Sequence, residues 1–264
     1  MEIAVISDIH ANAEALAEVF ADISVTGAEK IAVLGDVVGY GADPEICTRA
    51  IMVVSGDEPD GGFAPSELLE SANGFRDALI CAVMGNHDMG VLNDEILTVM
   101  RYEAVEAVLW QRKELSPEAL SFHMARPLEV EYGDAVFVHA SPYRPEAFGY
   151  IVTHYDAAYV LQRVEGRLFF IGHTHDPAVF NEDGIVNVGP GGKVLLDPEK
   201  RYIVNVGSVG QPRDGDPRSS YAIWDTERET VEFRRVEYDV ETAARKIYDA
   251  GLPRVLGDRL FAGI

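Results

Sequence analysis

Cysteine is nearly absent from this 264-residue chain: only Cys47 and Cys81 occur, each inside an apolar run (EICTRAIMVV and ALICAVMG). Two thiols so placed exclude a disulfide framework and a closed cysteine zinc site, and both are expected to be reduced and buried. Positive charge is scarce too. Lys and Arg total 22 against 44 Asp and Glu, a formal net charge of -22, which favours colloidal solubility and repels long nucleic acid and anionic membrane surfaces. Any anionic ligand must be drawn in locally, by a metal or an arginine. No stretch reaches the roughly 18 apolar residues of a membrane helix. The opening MEIAVISDIH has neither a basic n-region nor a small-residue cleavage site, so a cytoplasmic protein without a membrane partner is expected. No internal repeat is evident.

What is present is a globular composition, 47% hydrophobic, enough for one large domain over residues 1–264. Short β-rich runs alternate with helical patterns: EIAVISD, NAEALAEVFADI, KIAVLGD, DPEICTRAIMVV, ALICAVMG. That order reads as βαβαβ. Leu16, Val19, Phe20 and Ile23 mark one face of the first helix; Asp43 as N-cap and Pro44 at the first position open the second. Residues 55–75, rich in Gly, Pro and acids, predict an excursion loop with one short helix. A helical pattern spans Glu95 to Leu115, and Ser116-Pro117 restarts a helix. Beyond Leu128 strands dominate, with Glu182-Asp183-Gly184 a hairpin turn, before a C-terminal helix at about 240–262. The expected class is α/β with α+β character: two mixed sheets packed as a sandwich and flanked by helices.

Chemistry-bearing residues recur at strand ends. Asp8-Ile9-His10 follows the first strand, Gly35-Asp36 the second, and Gly85-Asn86-His87-Asp88 the third; His139 ends AVFV, and Gly172-His173-Thr174-His175 follows LFFI. Each block alone has an ordinary explanation as a turn, a cap or a satisfied imidazole. Five of the seven histidines (10, 87, 139, 173 and 175) stand at such strand ends, however, and that repetition points to metal binding. Asp8, His10, Asp36, Asn86, His139, His173 and His175 form a donor set of carboxylate, imidazole and one amide. Such a set suits two ions of Mn, Fe, Zn or Co, divalent or trivalent, about 3.5–4 Å apart in hydrolytic pairs.

These blocks, D-x-H, G-D, G-N-H-(D/E), a lone His and G-H-x-H, stand in that order across residues 8 to 175, and the chain resembles the calcineurin-like metallophosphoesterases, which carry them. NVGSVGQPRDGDPRSSYAIWD is similar to the closing block of a bacterial and archaeal subgroup of small phosphoesterases, including some dinucleoside-polyphosphate hydrolases and phosphoprotein-phosphatase-like proteins. The resemblance implies that Asp8, His10 and His175 hold one metal, that Asp36 bridges, and that Asn86, His139 and His173 hold the other. It leaves His87 beside the leaving group as general acid, with Asp88 a candidate to orient it. The implied reaction is attack of a metal-bound hydroxide on a phosphomonoester or phosphoanhydride of a small molecule or nucleotide, dinucleoside polyphosphates included.

The family's protein-serine/threonine phosphatases carry Asp and Arg at the third and fourth residues after the bridging Asp, where this chain has Gly39 and Tyr40. A phosphoprotein phosphatase therefore ranks below a small-molecule enzyme, as does a phosphodiesterase for small cyclic nucleotides. A metal-free scaffold ranks last, since no ligand is missing. Arg213 is the first candidate for gripping substrate phosphate, unless Asp214 or Asp216 claims it. Asn12, which also suits a helix cap, and Arg144, in the tyrosine-rich segment SPYRPEAFGYIVTHY, are weaker ones. A monomer is the default expectation.

Overall fold

A computed structural model describes residues 1–57, 66–186 and 192–264. Strand β1 (Glu2–Ile6) leads to helix α1 (Ala13–Ser24), β2 (Lys30–Val33), α2 (Pro44–Ser55), α3 (Glu67–Asn73), β3 (Leu79–Ala82) and α4 (Asn86–Gly90). Helices α5 (Tyr102–Glu114) and α6 (Pro117–Met124) follow, then strands β4 (Glu129–Tyr132) and β5 (Ala135–Val138), α7 (His154–Leu161) and β6 (Leu168–Ile171). The remaining strands are β7 (Ala178–Asn181), β8 (Gly184–Val186), β9 (Lys193–Leu195), β10 (Tyr202–Asn205), β11 (Ser219–Asp225) and β12 (Thr230–Val236). Helices α8 (Val240–Asp249) and α9 (Arg254–Ala262) close the chain.

Among the described residues these strands form two six-stranded sheets, ordered β3-β2-β1-β11-β12-β9 and β4-β5-β6-β10-β7-β8. Both are mixed: β1 pairs parallel with β2 and antiparallel with β11, and β10 pairs parallel with β6 and antiparallel with β7. The period-2 pattern of β1 shows why two layers form. Ile3 and Val5 point inward to meet Phe137, Phe170 and Trp224 between the sheets, while Ala4 and Ile6 point outward beneath α1 and α2. In α1, Leu16, Val19, Phe20 and Ile23 are all buried, the face expected from their spacing. The outer face of the second sheet is covered by Ala157, Val160 and Leu161 of α7. Strand ends of both sheets, β1, β2 and β3 from one and β5 and β6 from the other, deliver their loops to a common point.

Several local expectations change. The pattern from Glu95 to Leu115 is not one helix: a 3-10 turn at Ile96–Val99 precedes α5, and Met100 and Arg101 are extended. None of the four turn residues is buried, so no packing supports a continuous helix there. Asp43 does flank α2, with Pro44 first in the helix, but its carboxylate makes no cap and instead takes Lys246 of α8 at 2.7 Å. Ser116 does cap α6.

The C-terminal helix expected at about 240–262 is two helices, because Gly251 adopts φ 71° and Pro253 follows it, a pair that ends one helix and starts another. Of the 55–75 excursion, residues 58–65 lie outside those described. The short helix within it is α3, capped by Ser66 and burying Leu68, Leu69 and Ala72. Among the described residues, no helix is long and apolar enough to cross a membrane.

Candidate metal centre

The loop after β1 turns sharply into the left-handed region, with φ 54° at Asp8 and 50° at His10; Asp36 (49°), His173 (66°) and His175 (63°) do the same in their own loops. Each such residue costs about 1–2 kcal/mol, so strain concentrates where the candidate ligands stand. Cross-loop hydrogen bonds hold it: Asp8 N donates to Gly35 O at 3.1 Å, His10 N to Asp36 O at 3.0 Å, and His173 N to Asp8 Oδ2 at 2.9 Å. The three loops are therefore one hydrogen-bonded unit.

All seven expected ligands are buried and converge in two groups joined by Asp36. In the first, the Nε2 atoms of His10 and His175 lie 3.0 Å apart, and Asp8 Oδ1 is 3.2 Å from that of His175 and 3.6 Å from that of His10. In the second, His139 Nε2 lies 3.2 Å from each of Asp36 Oδ2, Asn86 Oδ1 and His173 Nδ1. Asp36 Oδ2 is also 3.9 Å from His10 Nε2. One carboxylate oxygen faces both groups.

Protonation states follow from the outer contacts. Nδ1 of His10, His139 and His175 lies on the carbonyl oxygens of Val38 (3.0 Å), Leu34 (2.7 Å) and Gln211 (2.5 Å). A carbonyl only accepts, so each Nδ1 carries the proton and, in the neutral ring, each Nε2 presents a lone pair. Two such lone pairs and the otherwise unpartnered Asp8 Oδ1 therefore meet with no donor among them. Burial and then Arg213 push His175 down to about 3, so its Nε2 is unprotonated near neutrality. In the second group burial opposes charge on His139, yet Asp36 outweighs it and pushes the imidazole up to about 9. Both points attract positive charge, and the donor set fits transition-metal ions.

His87 stands beside the ligands. One of its ring nitrogens lies within 4.8 Å of ligand atoms of His10 and Asp36, and its Nδ1 has no partner. Its ring packs edge-on to His10, centroids 4.9 Å apart, and against Tyr40 at 4.4 Å. Gly39 makes this possible, since a Cβ there would lie 2.4 Å from His87 Nδ1. Residues 39 and 40 thus form the seat of His87.

Asp88 does not orient His87. Its carboxylate accepts from the backbone N–H groups of Asp36 (2.7 Å), Gly85 (3.0 Å) and Val38 (3.3 Å) and lies 3.5 Å from Nδ1 of the buried His123. His123 in turn meets Thr48 Oγ1 at 3.0 Å. Adjacent residues on a helical turn face different ways, so Asp88 locks the Asp36 loop to the Asn86 turn instead.

Arg213 is free of the nearby acids. Asp214 pairs with Arg235 and Asp216 with Arg218. Arg213 makes no ion pair among the described residues; it bonds Gln211 Oε1 at 2.7 Å and lies over the Tyr40 ring at 5.4 Å. Asn12 is engaged within the fold, its Oδ1 capping α1 at Ala15 N and its Nδ2 donating to Gly210 O. Arg144 is exposed, 6.0 Å from the Tyr143 ring. Of that segment, Tyr150 and Phe148 reach the site, their rings 4.2 Å from that of His173 and 6.0 Å from that of His139.

Sequence reasoning missed the supports of the ligands. Asp8 Oδ2 accepts from Ser7 Oγ at 2.6 Å and from His173 N at 2.9 Å; Ser208 Oγ donates to Asp8 O at 2.8 Å. Asn205 Nδ2 holds Gly172 O and Thr174 Oγ1. Asn205, Ser208 and Gln211, spaced by Gly and Val from the end of β10 onward, were the available signal.

Residues 1–229 match the family model described as a calcineurin-like phosphoesterase superfamily domain. An uncharacterized protein of Methanocaldococcus jannaschii is 40% identical over 266 residues, 99% of this chain and 98% of its own length. The crystal structure of a metallophosphoesterase from Sphaerobacter thermophilus aligns with a TM-score of 0.81 at 34% identity, over 100% of this chain and 99% of that one. A hypothetical protein of Pyrococcus horikoshii shares the fold, with a TM-score of 0.74 at 17% identity over 100% and 98% of the two chains.

Proposed function

Given that the chain belongs to the calcineurin-like phosphoesterase superfamily, we propose that it hydrolyses phosphomonoester or phosphoanhydride bonds of small molecules or nucleotides at a two-ion centre. The observation that carries this reading is the convergence of buried candidate ligand atoms at two adjacent points, both faced by Asp36 Oδ2. Asp8, His10 and His175 would hold one ion, Asn86, His139 and His173 the other, with Asp36 shared. When bound, the ions would neutralise phosphoryl charge and activate water.

The chain's own residues then divide the remaining work. The Ser7 hydroxyl and the His173 N–H fix the Asp8 carboxylate, and the three carbonyls on Nδ1 fix the imidazoles, so the centre is preorganised. Arg213 is the cation that receives phosphoryl oxygens, its planar fork suited to taking two at once.

His87 donates the proton to the leaving oxygen. Burial, then His10 and His175, holds its pKa well below the ordinary range, so the ring rests neutral and gains its proton only when the negative charge of a phosphate arrives.

The test is a screen of Mn²⁺-loaded protein on p-nitrophenyl phosphate, bis(p-nitrophenyl) phosphate, nucleotides, dinucleoside polyphosphates and a phosphopeptide, each repeated after chelation. Monoesters and anhydrides are expected to turn over fastest, with loss on chelation and return on adding metal. Preference for the diester would favour a phosphodiesterase, and preference for the phosphopeptide a protein phosphatase. In the same screen His87→Ala should lower kcat on an alkyl monoester by about 10²–10⁴, with metal content retained. Full activity of that variant on the alkyl ester would remove His87 from the acid role.

A further inference from the structure

We propose that the C-terminal helix pair completes a second anion site beside the metal centre, where Arg259 of α9 and Arg213 together grip a second oxyanion of the substrate. The inference rests on the phosphoesterase reading above and extends it to substrate class: the preferred substrate carries a phosphoryl or carboxylate group in addition to the phosphoryl group that reacts.

Several observations meet here. The loop carrying Arg213 is tied to the end of α9 by Gly215 N donating to Gly263 O at 2.9 Å, and Arg213 N itself donates to His175 O at 3.1 Å. Gly263 lies one turn after Arg259 on the same face of α9, its N–H on Arg259 O, and a Cβ there would lie 2.6 Å from the backbone of Asp216; Leu260 lines one small cavity with Tyr40, Gln211 and His10. Helix α9 is therefore packed against the rim of the centre.

Arg259 is half-buried yet makes no side-chain hydrogen bond or ion pair among the described residues. Burial, then the positive field of Arg213, holds its guanidinium below the ordinary value, and Arg101 adds to that repulsion. The acid that acts on it, Glu103 of α5, lies beyond ion-pair distance. Arg213 has a buried Nε without a partner.

In a chain of net charge -22 carboxylates are abundant, and Arg218, Arg234 and Arg235 all have one. Arg213 and Arg259, both half-buried, have none among the described residues, and an anion between them would relieve their mutual repulsion. In the reading above the two ions and one edge of the Arg213 guanidinium take the reacting phosphoryl, so an anion reaching both Arg213 Nε and Arg259 would be a second group on the same molecule. Arg213 lies within residues 1–229 that match the family domain and Arg259 beyond them, so the site would join the two parts of the chain.

The test is inhibition of p-nitrophenyl phosphate hydrolysis by matched pairs: fructose 6-phosphate against fructose 1,6-bisphosphate, and glycerol 3-phosphate against 3-phosphoglycerate. In the unaltered Mn²⁺ enzyme the second anion is expected to tighten inhibition about tenfold or more in at least one pair, the scale of a charge-assisted contact. A gap in the first pair alone identifies a second phosphoryl group, and in the second pair alone a carboxylate. In Arg259→Gln the gap should close, and in Arg259→Lys it should partly return. Equal inhibition within both pairs, or a gap that Arg259→Gln leaves intact, would overturn the second site while the phosphoesterase reading stands. Absence of p-nitrophenyl phosphate hydrolysis would overturn both.

Discussion

Asp36→Asn is expected to lower kcat/KM by about a thousandfold or more, some 4 kcal/mol of transition-state stabilisation, and to leave the chain with fewer bound ions. Asp36 Oδ2 faces His139 Nε2 at 3.2 Å and His10 Nε2 at 3.9 Å, so the same oxygen serves both halves of the centre. Its other oxygen accepts the His87 N–H at 2.8 Å, which fixes the carboxylate and the Asn86-His87 turn together. An amide has nearly the same shape but half the acceptors and no charge. Whichever way it flips, either the bridge or the His87 N–H loses its oxygen. Kinetics on p-nitrophenyl phosphate with metal analysis of the same sample would check this; undiminished turnover with a full metal complement would remove Asp36 from its bridging role.

Gly85→Ala should damage the centre by sterics alone. A Cβ on Gly85 would lie 2.0 Å from Asp36 Oδ1 and 2.4 Å from Asp36 N. Gly85 has an ordinary extended backbone, φ -90°, so the substitution adds no conformational strain of its own and the clash is the whole effect. Asp36 cannot retreat, because its N–H is held by Asp88 and its C=O by His10 N. Overpacking of this kind costs about 1–3 kcal/mol, which for a chain of this size lowers Tm by roughly 2–5 °C. The displaced Asp36 and Asn86 should also weaken metal binding. Calorimetric unfolding with and without Mn²⁺ separates the two parts: the metal-free Tm reports the clash, and the loss of Mn²⁺-induced stabilisation reports the site. A wild-type Tm in both conditions would contradict the packing described here.

The converging residues were legible because each announces itself locally. An apolar strand ends, a tight exit follows, and a carboxylate, amide or imidazole stands next; that grammar needs no knowledge of the partner loop. The sandwich was legible for the same reason, since inward Ile3 and Val5 against outward Ala4 and Ile6 require two covered faces. What resisted reading depended on competition between distant residues. Asp88 follows His87 in sequence, yet its carboxylate is claimed by backbone N–H groups from the Asp36 loop and by His123, more than thirty positions away in either direction. The freedom of Arg213 was decided elsewhere, by Arg235 taking Asp214 and Arg218 taking Asp216. Tyr150 and Phe148 reach the candidate ligands only through tertiary packing, and no local pattern marks them. The break at Gly251 and Pro253 was visible in the sequence as a stop signal, and the apolar spacing on either side of it read as one helix.

The family assignment and the fold leave the two-ion centre as the claim on which the rest depends. Its most direct measurement is anomalous scattering from crystals of the Mn²⁺-loaded protein. Two peaks are predicted, one among Asp8, His10 and His175 and one among Asn86, His139 and His173, with Asp36 between them. A single peak, or none within reach of Asp36, would contradict it.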